Sequence, residues 1–338
     1  MKLTILKLLF VFGFLLSCQQ NKPAQAYYFE GDALGTTYHI KAFPSQAAKP
    51  VQKKDVDSVI SAINASLSTY QPNSLISRIN KGEVLKLDQH FIDVYKAAKK
   101  IYRETGGLYD PTIGILVNAW GFGPKEKIKN IERDSTIVDS LKRYVGYDFL
   151  SIDENGFLKK RYPQVYIDYN SIAKGYAIDR VGKMLSNKGI QNYLVEIGGE
   201  VLAKGKNIAK NRAWLVAIDN PDREHGNKFI SEIALSDKAI ATSGNYRKYY
   251  VDKKTGRKYV HTLDPKTGYP VQRHILSASV IADNCTLADG YATAFMVMGY
   301  KAAEKFLKLH PELQAFLVYS DEQGHIKTFK TKGVKIVN

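Results

Sequence analysis

In VIADNCTLADGYATAFMVMG an apolar run breaks at Ala-Asp-Asn and resumes at Leu287, and inside the second run stand Asp289 and Thr293. Four residues apart on a helix, they share one face one turn apart. Two readings fit an acid in so apolar a segment. Thr286 and Asp289 can form a capping box that satisfies N–H groups at the helix start. Alternatively, Asp289 and Thr293 can hold a cation, and hard oxygen donors suit Mg²⁺ rather than zinc. A second group lies in IDYNSIAKGYAIDR, where Asp168 ends a strand, Asn170 or Ser171 takes the N-cap of a helix, and Lys174 falls in its first turn. A helix N-terminus with a lysine favours an anion, although many ordinary capped helices look the same. VHTLDPKTGYPV sets His261 before a rigid turn, which is either a held general base or a structural histidine. In TGGLYDPTIGILVNAWGFGP, Asp110 and Trp120 either line a flat ring or form a turn beside core aromatics. A cation, an anion and a flat ring in one protein point to a magnesium-bound diphosphate.

Those residues have to be carried by a fold. YYFEGDALGTTYHIKAF alternates as a strand interrupted at Gly35, and Val56, Val59, Ile60, Ile63 and Leu67 follow the helical period. FIDVYKAAKKIYRET is a second helix stopped by Gly106-Gly107, and STYQPNSLISRIN is a loop entering another helical turn. Asn155-Gly156 and Thr255-Gly256 mark hairpins, VYIDY reads as a short strand, and Ser171 to Lys188 as a helix closed by Gly189. A helix, the strand AFLVYS and a hairpin complete the chain. Strands joined both as hairpins and through helices predict an α+β fold, a single domain with a mixed, largely antiparallel sheet and packed helices. No G-x-G-x-x-G turn, G-x-x-x-x-G-K-[ST] loop, H-E-x-x-H or G-x-S-x-G is present, so dinucleotide binding by a Rossmann turn and the common hydrolase motifs are excluded.

The chain has 338 residues, 44% hydrophobic and 24% charged, which is a folding composition. MKLTILKLLFVFGFLLSC carries Lys2 and Lys7, an apolar stretch too short to span a bilayer permanently, and a small residue before Cys18. Residues 1–17 are therefore expected to be a bacterial signal peptide. Residues 18–27 form a tether anchored by a lipid on Cys18, and residues 28–338 the body, held outside the cytoplasm at the cell envelope. Only Cys285 then remains, which forbids an internal disulfide and reads as a small buried residue. The formal charge is +16, or +14 once Lys2 and Lys7 leave with the leader. No nucleic-acid-binding pattern accompanies it, so a basic face toward anionic lipid or a phosphorylated ligand is expected rather than nucleic acid.

Seven segments in register, LGTTY, STYQPNSLISRIN, GGLYDPTIGILVNAWGFGP, IDYNSIAKGYAID, VEIGGEV, HTLDPKTGYPV and ADGYATAFMVMG, resemble the ApbE family of FAD:protein FMN transferases over roughly residues 28–300. The resemblance implies a T-fold-related α+β domain, often exported and lipid-anchored. It also implies a reaction in which a Ser or Thr hydroxyl of an acceptor protein attacks the FMN phosphorus of FAD and releases AMP. The acceptor it suggests is a respiratory electron-transport subunit. Carried over by motif, Leu34, Tyr70, Leu108, Tyr109, Asp110, Asp168, Lys174 and Leu263 would contact FAD. Asp289 and Thr293 would bind Mg²⁺ through their side chains, Ser171 through its backbone carbonyl, and His261 would deprotonate the acceptor hydroxyl. Some relatives carry an acid three residues after the metal aspartate, where this chain has Ala292. Rival readings are a Mg²⁺-dependent FAD diphosphatase, a non-catalytic FAD-binding lipoprotein, and a basic surface protein for anionic polymer.

Overall fold

The computed structural model describes residues 25–221, 227–246 and 248–337. The expected signal peptide and Cys18 lie outside the described residues. The first hairpin of the described residues closes on a two-residue turn. β1 (Tyr27–Ala33) and β2 (Thr36–Phe43) pair antiparallel across Leu34 and Gly35, both at positive φ, 52° and 77°. That geometry matches the twist of the strands. Gly35 adopts it freely, while Leu34 does so at a cost of about 1–2 kcal/mol.

β2 leads into an eight-stranded sheet with β5 (Asn192–Ile197), β6 (Glu200–Lys204), β9 (Lys238–Gly244), β12 (Ile275–Ala282), β13 (Gln314–Ser320) and β14 (Ile326–Lys330). Its order is β1-β2-β5-β6-β9-β12-β13-β14, and each named pair is antiparallel. One face packs under α6 (Ala173–Asn187) and α7 (Cys285–Met298), with α1 (Lys53–Leu67) and α3 (Gln89–Glu104) outside them. α7 is buried on nearly all sides, including Ala288, Tyr291 and Phe295, which fits a helix that is apolar all round. Each large apolar side chain buried here contributes about 1.5–3 kcal/mol. The other face meets a small sheet of β7 (Trp214–Asp219), β8 (Phe229–Leu235) and β15 (Ile336–Val337), with Trp214, Ile233 and Ile281 between the layers.

A third apolar cluster lies beside these layers. It joins α4 (Gly114–Ala119) and α5 (Ser135–Lys142) to the hairpin of β10 (Tyr249–Val251) and β11 (Lys258–Val260). Trp120 is fully buried there, and its Nε1 donates to the Gly268 carbonyl at 3.0 Å. Both expected glycine hairpins form, with Gly156 and Gly256 at positive φ.

VYIDY differs from its expectation as a strand. Its only ladder contact is an isolated parallel bridge from Tyr166 to Ile113. Side chain and loop take the place of a partner strand: Asn80 bonds both the N–H and the carbonyl of Ile167, at 2.9 and 2.8 Å, and Asp168 N–H donates to the Pro111 carbonyl at 2.8 Å.

The helix caps also differ. Neither Asn170 nor Ser171 caps α6, whose first residue is Ala173. Thr286 and Asp289 form no capping box. Asn284 caps α7 by accepting from Leu287 N–H at 2.9 Å, and Asp179 of α6 accepts from the N–H groups of Cys285 and Thr286 at 2.8 Å. In return Asp289 of α7 accepts from Gly175 N–H, the third residue of α6, at 3.0 Å. The two helices therefore satisfy each other's starts, which places an orphan-donor problem from both helices on two carboxylates, Asp289 buried and Asp179 half-buried.

Candidate active site

A cavity of about 760 Å³ opens where the β1–β2 turn, the loops flanking α4, the start of α6, the ends of β5, β6 and β9, and the middle of α7 converge. Each of the twelve residues to which the family resemblance gives a role in the body of the chain lines it. Leu34 is presented by its strained turn, and Tyr70 stands 57% exposed at the rim. Leu108 and the buried Tyr109 and Asp110 form one wall, with Leu263 beside them. Asp168, Ser171 and Lys174 arrive from the start of α6, Asp289 and Thr293 from α7, and His261 from the end of the β10–β11 hairpin.

Electrostatics concentrate at the floor. Lys174 Nζ lies 2.8 Å from Glu200 Oε1 and 3.8 Å from Asp289 Oδ1. Burial works against the lysine's charge, but Asp289 and Glu200 outweigh it and hold the ammonium above its ordinary value. Two buried carboxylates share this one ammonium, so that with both ionised one negative charge is uncompensated. Burial accordingly pushes the Asp289 carboxyl up, against the pull of Lys174. Glu200 Oε2 is buried with no hydrogen-bond partner among the described residues. Next to this group, Thr293 and Ser243 hydroxyls are 3.2 Å apart.

The orphaned Glu200 oxygen, the Asp289 carboxylate and the Thr293 hydroxyl line one cavity, and hard oxygens with carboxylate charge are the chemistry that fits a hard divalent cation. Among the described residues no group of three or more His, Cys, Asp or Glu side chains is arranged to hold a metal alone. A cation here would complete its shell with backbone, water and phosphate oxygens, as Mg²⁺ usually does.

Asp110 is spent on structure. Its Oδ1 accepts from Thr112 N–H and hydroxyl, at 2.8 and 2.6 Å, and its Oδ2 from Tyr147 N–H at 3.1 Å. Burial raises its carboxyl to about 6 despite these bonds. Asp168 accepts from Asn170 N–H at 2.8 Å and is likewise raised by burial. Ser171 donates its hydroxyl to Tyr109 at 3.2 Å, so that side chain is engaged.

His261 is set up differently. Its Nδ1 faces the Lys248 carbonyl at 3.1 Å. A carbonyl only accepts, so Nδ1 carries the proton and Nε2 keeps its lone pair. Burial depresses the imidazole below its ordinary value, and the neighbouring Lys248 and Lys174 charges act in the same direction.

The ApbE family model matches residues 34–317. The chain belongs to the ApbE family. A Haemophilus influenzae protein named FAD:protein FMN transferase is 34% identical over 324 residues, 92% of this chain and 91% of the relative. A Vibrio cholerae protein of the same name is 36% identical over 291 residues, 84% and 85% of the two chains. Among solved structures, the flavin transferase ApbE from Vibrio cholerae superposes with a TM-score of 0.82 at 32% identity, covering 92% of this chain and 98% of that one. The apo flavinyl transferase ApbE of Pseudomonas stutzeri gives 0.79 at 31%, covering 91% and 95%. The α+β architecture expected from the sequence is thus the architecture of solved ApbE structures.

Within this cavity, packing decides between readings that the sequence left open. Trp120 lines no ring site, because it is core. Both carboxylate oxygens of Asp110 accept from this chain's own donors, and Asp110 also lines the cavity. The carboxylate of Asp289 caps α6, not its own helix. Glu200 was not singled out from the sequence. Its signal was an acid directly after the Gly198-Gly199 pair at the start of a strand, glycines whose positive φ values, 62° and 104°, turn β5 into β6. Lys248 and Ser243 carry no local signal that distinguishes them from surface residues.

Proposed function

We propose that this protein uses Mg²⁺ to transfer the FMN half of FAD to a Ser or Thr hydroxyl of an acceptor protein. The observation that carries the metal is the floor of the cavity: Asp289 and Glu200 share Lys174, and one buried negative charge remains for a cation. Asp289, Thr293 and the Ser171 carbonyl would hold the ion. When bound, it would neutralise the diphosphate and the departing AMP. Lys174, kept charged by its two carboxylates, supplies a fixed cation for phosphate oxygens. Tyr109, Leu108 and Leu263 supply the apolar wall that a flavin ring needs and help exclude water.

The chemical step balances within these groups. The acceptor oxygen forms a bond to the FMN phosphorus, and its proton moves to Nε2 of His261. The bond from that phosphorus to the bridging oxygen breaks, and AMP leaves with the electron pair. The proton on His261 can then return to solvent or to the product phosphate. Attachment to the cell envelope through a lipid on Cys18 belongs to the same proposal and is supported by the leader sequence. A respiratory electron-transport subunit is the acceptor class that the family resemblance favours.

The test is mass spectrometry of an acceptor protein bearing an Asp-x-x-(Ser/Thr)-(Gly/Ala)-Ala-(Ser/Thr) segment, incubated with this protein, FAD and Mg²⁺. The acceptor should gain one FMN, and chelation should stop the gain. Free FMN with an unmodified acceptor would mean that water is the true acceptor, and unchanged FAD would mean a binding protein. Asp289→Asn should lower transfer at least about a hundredfold. Its melting temperature should stay near that of the unaltered protein, because the amide oxygen can still accept from Gly175. Full activity in that variant would remove the metal role.

A further inference from the structure

The β10–β11 hairpin stands beside the mouth of the cavity, and both of its ends are in the cavity wall. Lys248 precedes β10 and His261 follows β11, and His261 N–H donates to the Lys248 carbonyl at 3.2 Å. One face of the hairpin is anchored. Tyr250 and Tyr259 stack on each other, Tyr250 packs on Phe122 and Tyr259 on Trp120, and the Tyr250 hydroxyl donates to Glu132 at 3.0 Å. Side chains alternate along a strand, so Tyr249, Val251, Lys258 and Val260 occupy the opposite face. There Tyr249 is 48% and Val251 50% exposed.

The turn adds Lys253, Lys254 and Arg257, all exposed. Its carboxylate, Asp252, is spent on Arg133 and on the Lys254 N–H. None of these three cations, nor Lys258, forms an ion pair among the described residues. Lys258 Nζ lies over the Tyr249 ring at 3.8 Å and the Arg257 guanidinium over Tyr259 at 5.3 Å, so the result is an apolar strip edged by positive charge that has no carboxylate partner, a surface complementary to an acidic, partly apolar partner.

Transfer to a protein requires that an acceptor segment reach His261 from the rim of the cavity, and β11 ends on the residue before His261. We propose that the outward face of β10–β11 docks the acceptor protein, seating apolar side chains against Tyr249 and Val251 and carboxylates against the basic turn. Docked there, the acceptor is led along β11 to the imidazole. This rests on the flavin-transfer reading above.

Two double variants test it in the FAD, Mg²⁺ and acceptor-protein assay: Tyr249→Ser with Val251→Ser, and Lys254→Glu with Arg257→Glu. Each should raise the acceptor KM about tenfold or more. The FAD Kd, and kcat at saturating acceptor, should stay within about twofold, since neither pair touches the cavity. In the unaltered protein the acceptor KM should rise with NaCl, and the charge variant should flatten that dependence. Unchanged acceptor KM in both variants overturns the proposal. So does an unchanged KM accompanied by lost binding to phosphatidylglycerol vesicles, which would assign the hairpin to a lipid surface. If the unaltered protein releases FMN but modifies no acceptor, the flavin-transfer reading fails first, and docking falls with it.

Discussion

His261 is the residue whose protonation should be visible in kinetics. Burial and two neighbouring lysines lower its value, so the imidazole is neutral across the physiological range and becomes charged only in more acidic solution. A base must be neutral to accept a proton, so activity should be full at neutral pH and fall as pH drops through the folded value. The acid limb of kcat/KM is expected to have its midpoint below 6.5. His261→Gln should erase that limb and lower kcat by about a hundredfold or more. An acid limb that survives the substitution would assign it to another group. The residue types needed for this chemistry were readable in the sequence. The choice of nitrogen was not, because it depends on a carbonyl contributed by Lys248.

Helices α6 and α7 meet through an exchange of caps, and the site inherits its precision from that contact. A Cβ added at Gly175 would lie 2.2 Å from the Cys285 carbonyl oxygen and 2.9 Å from the Asp289 Cβ. The first of these is helix backbone, which cannot swing away as a side-chain tip can. Gly175→Ala is therefore expected to push the helices apart, to destabilise the protein by about 1–3 kcal/mol, and to lower FMN transfer by misplacing Asp289. Thermal melting and the transfer assay should move together. A variant more stable than the parent, as helix propensity alone would predict, would show that the contact is looser than this. In the sequence Gly175 is an unfavourable residue inside a helix. Only the neighbouring helix explains it.

At the scale of the whole molecule, the described residues include no helix long and apolar enough to cross a membrane. The proposed attachment rests on Cys18 and on a short tether. Cys18→Ser should shift the protein from the membrane fraction to the soluble fraction after cell lysis, with FMN transfer in solution unchanged. Continued membrane association would place the anchor elsewhere. Helices drawn from distant parts of the chain pack on one face of the eight-stranded sheet, and so the cavity gathers residues from Leu34 to Val297. The sequence by itself determined the class of fold, most of the element types around the motifs, and the kinds of group at the site, because periodicity, turn residues and donor chemistry are local properties. Tertiary structure alone decided that Trp120 is core, that Glu200 joins the charged floor, and that each of two helices caps the other. Those outcomes depend on burial and on partners elsewhere in the chain, up to 148 residues away, and no local pattern encodes which carboxylate is left with unspent charge.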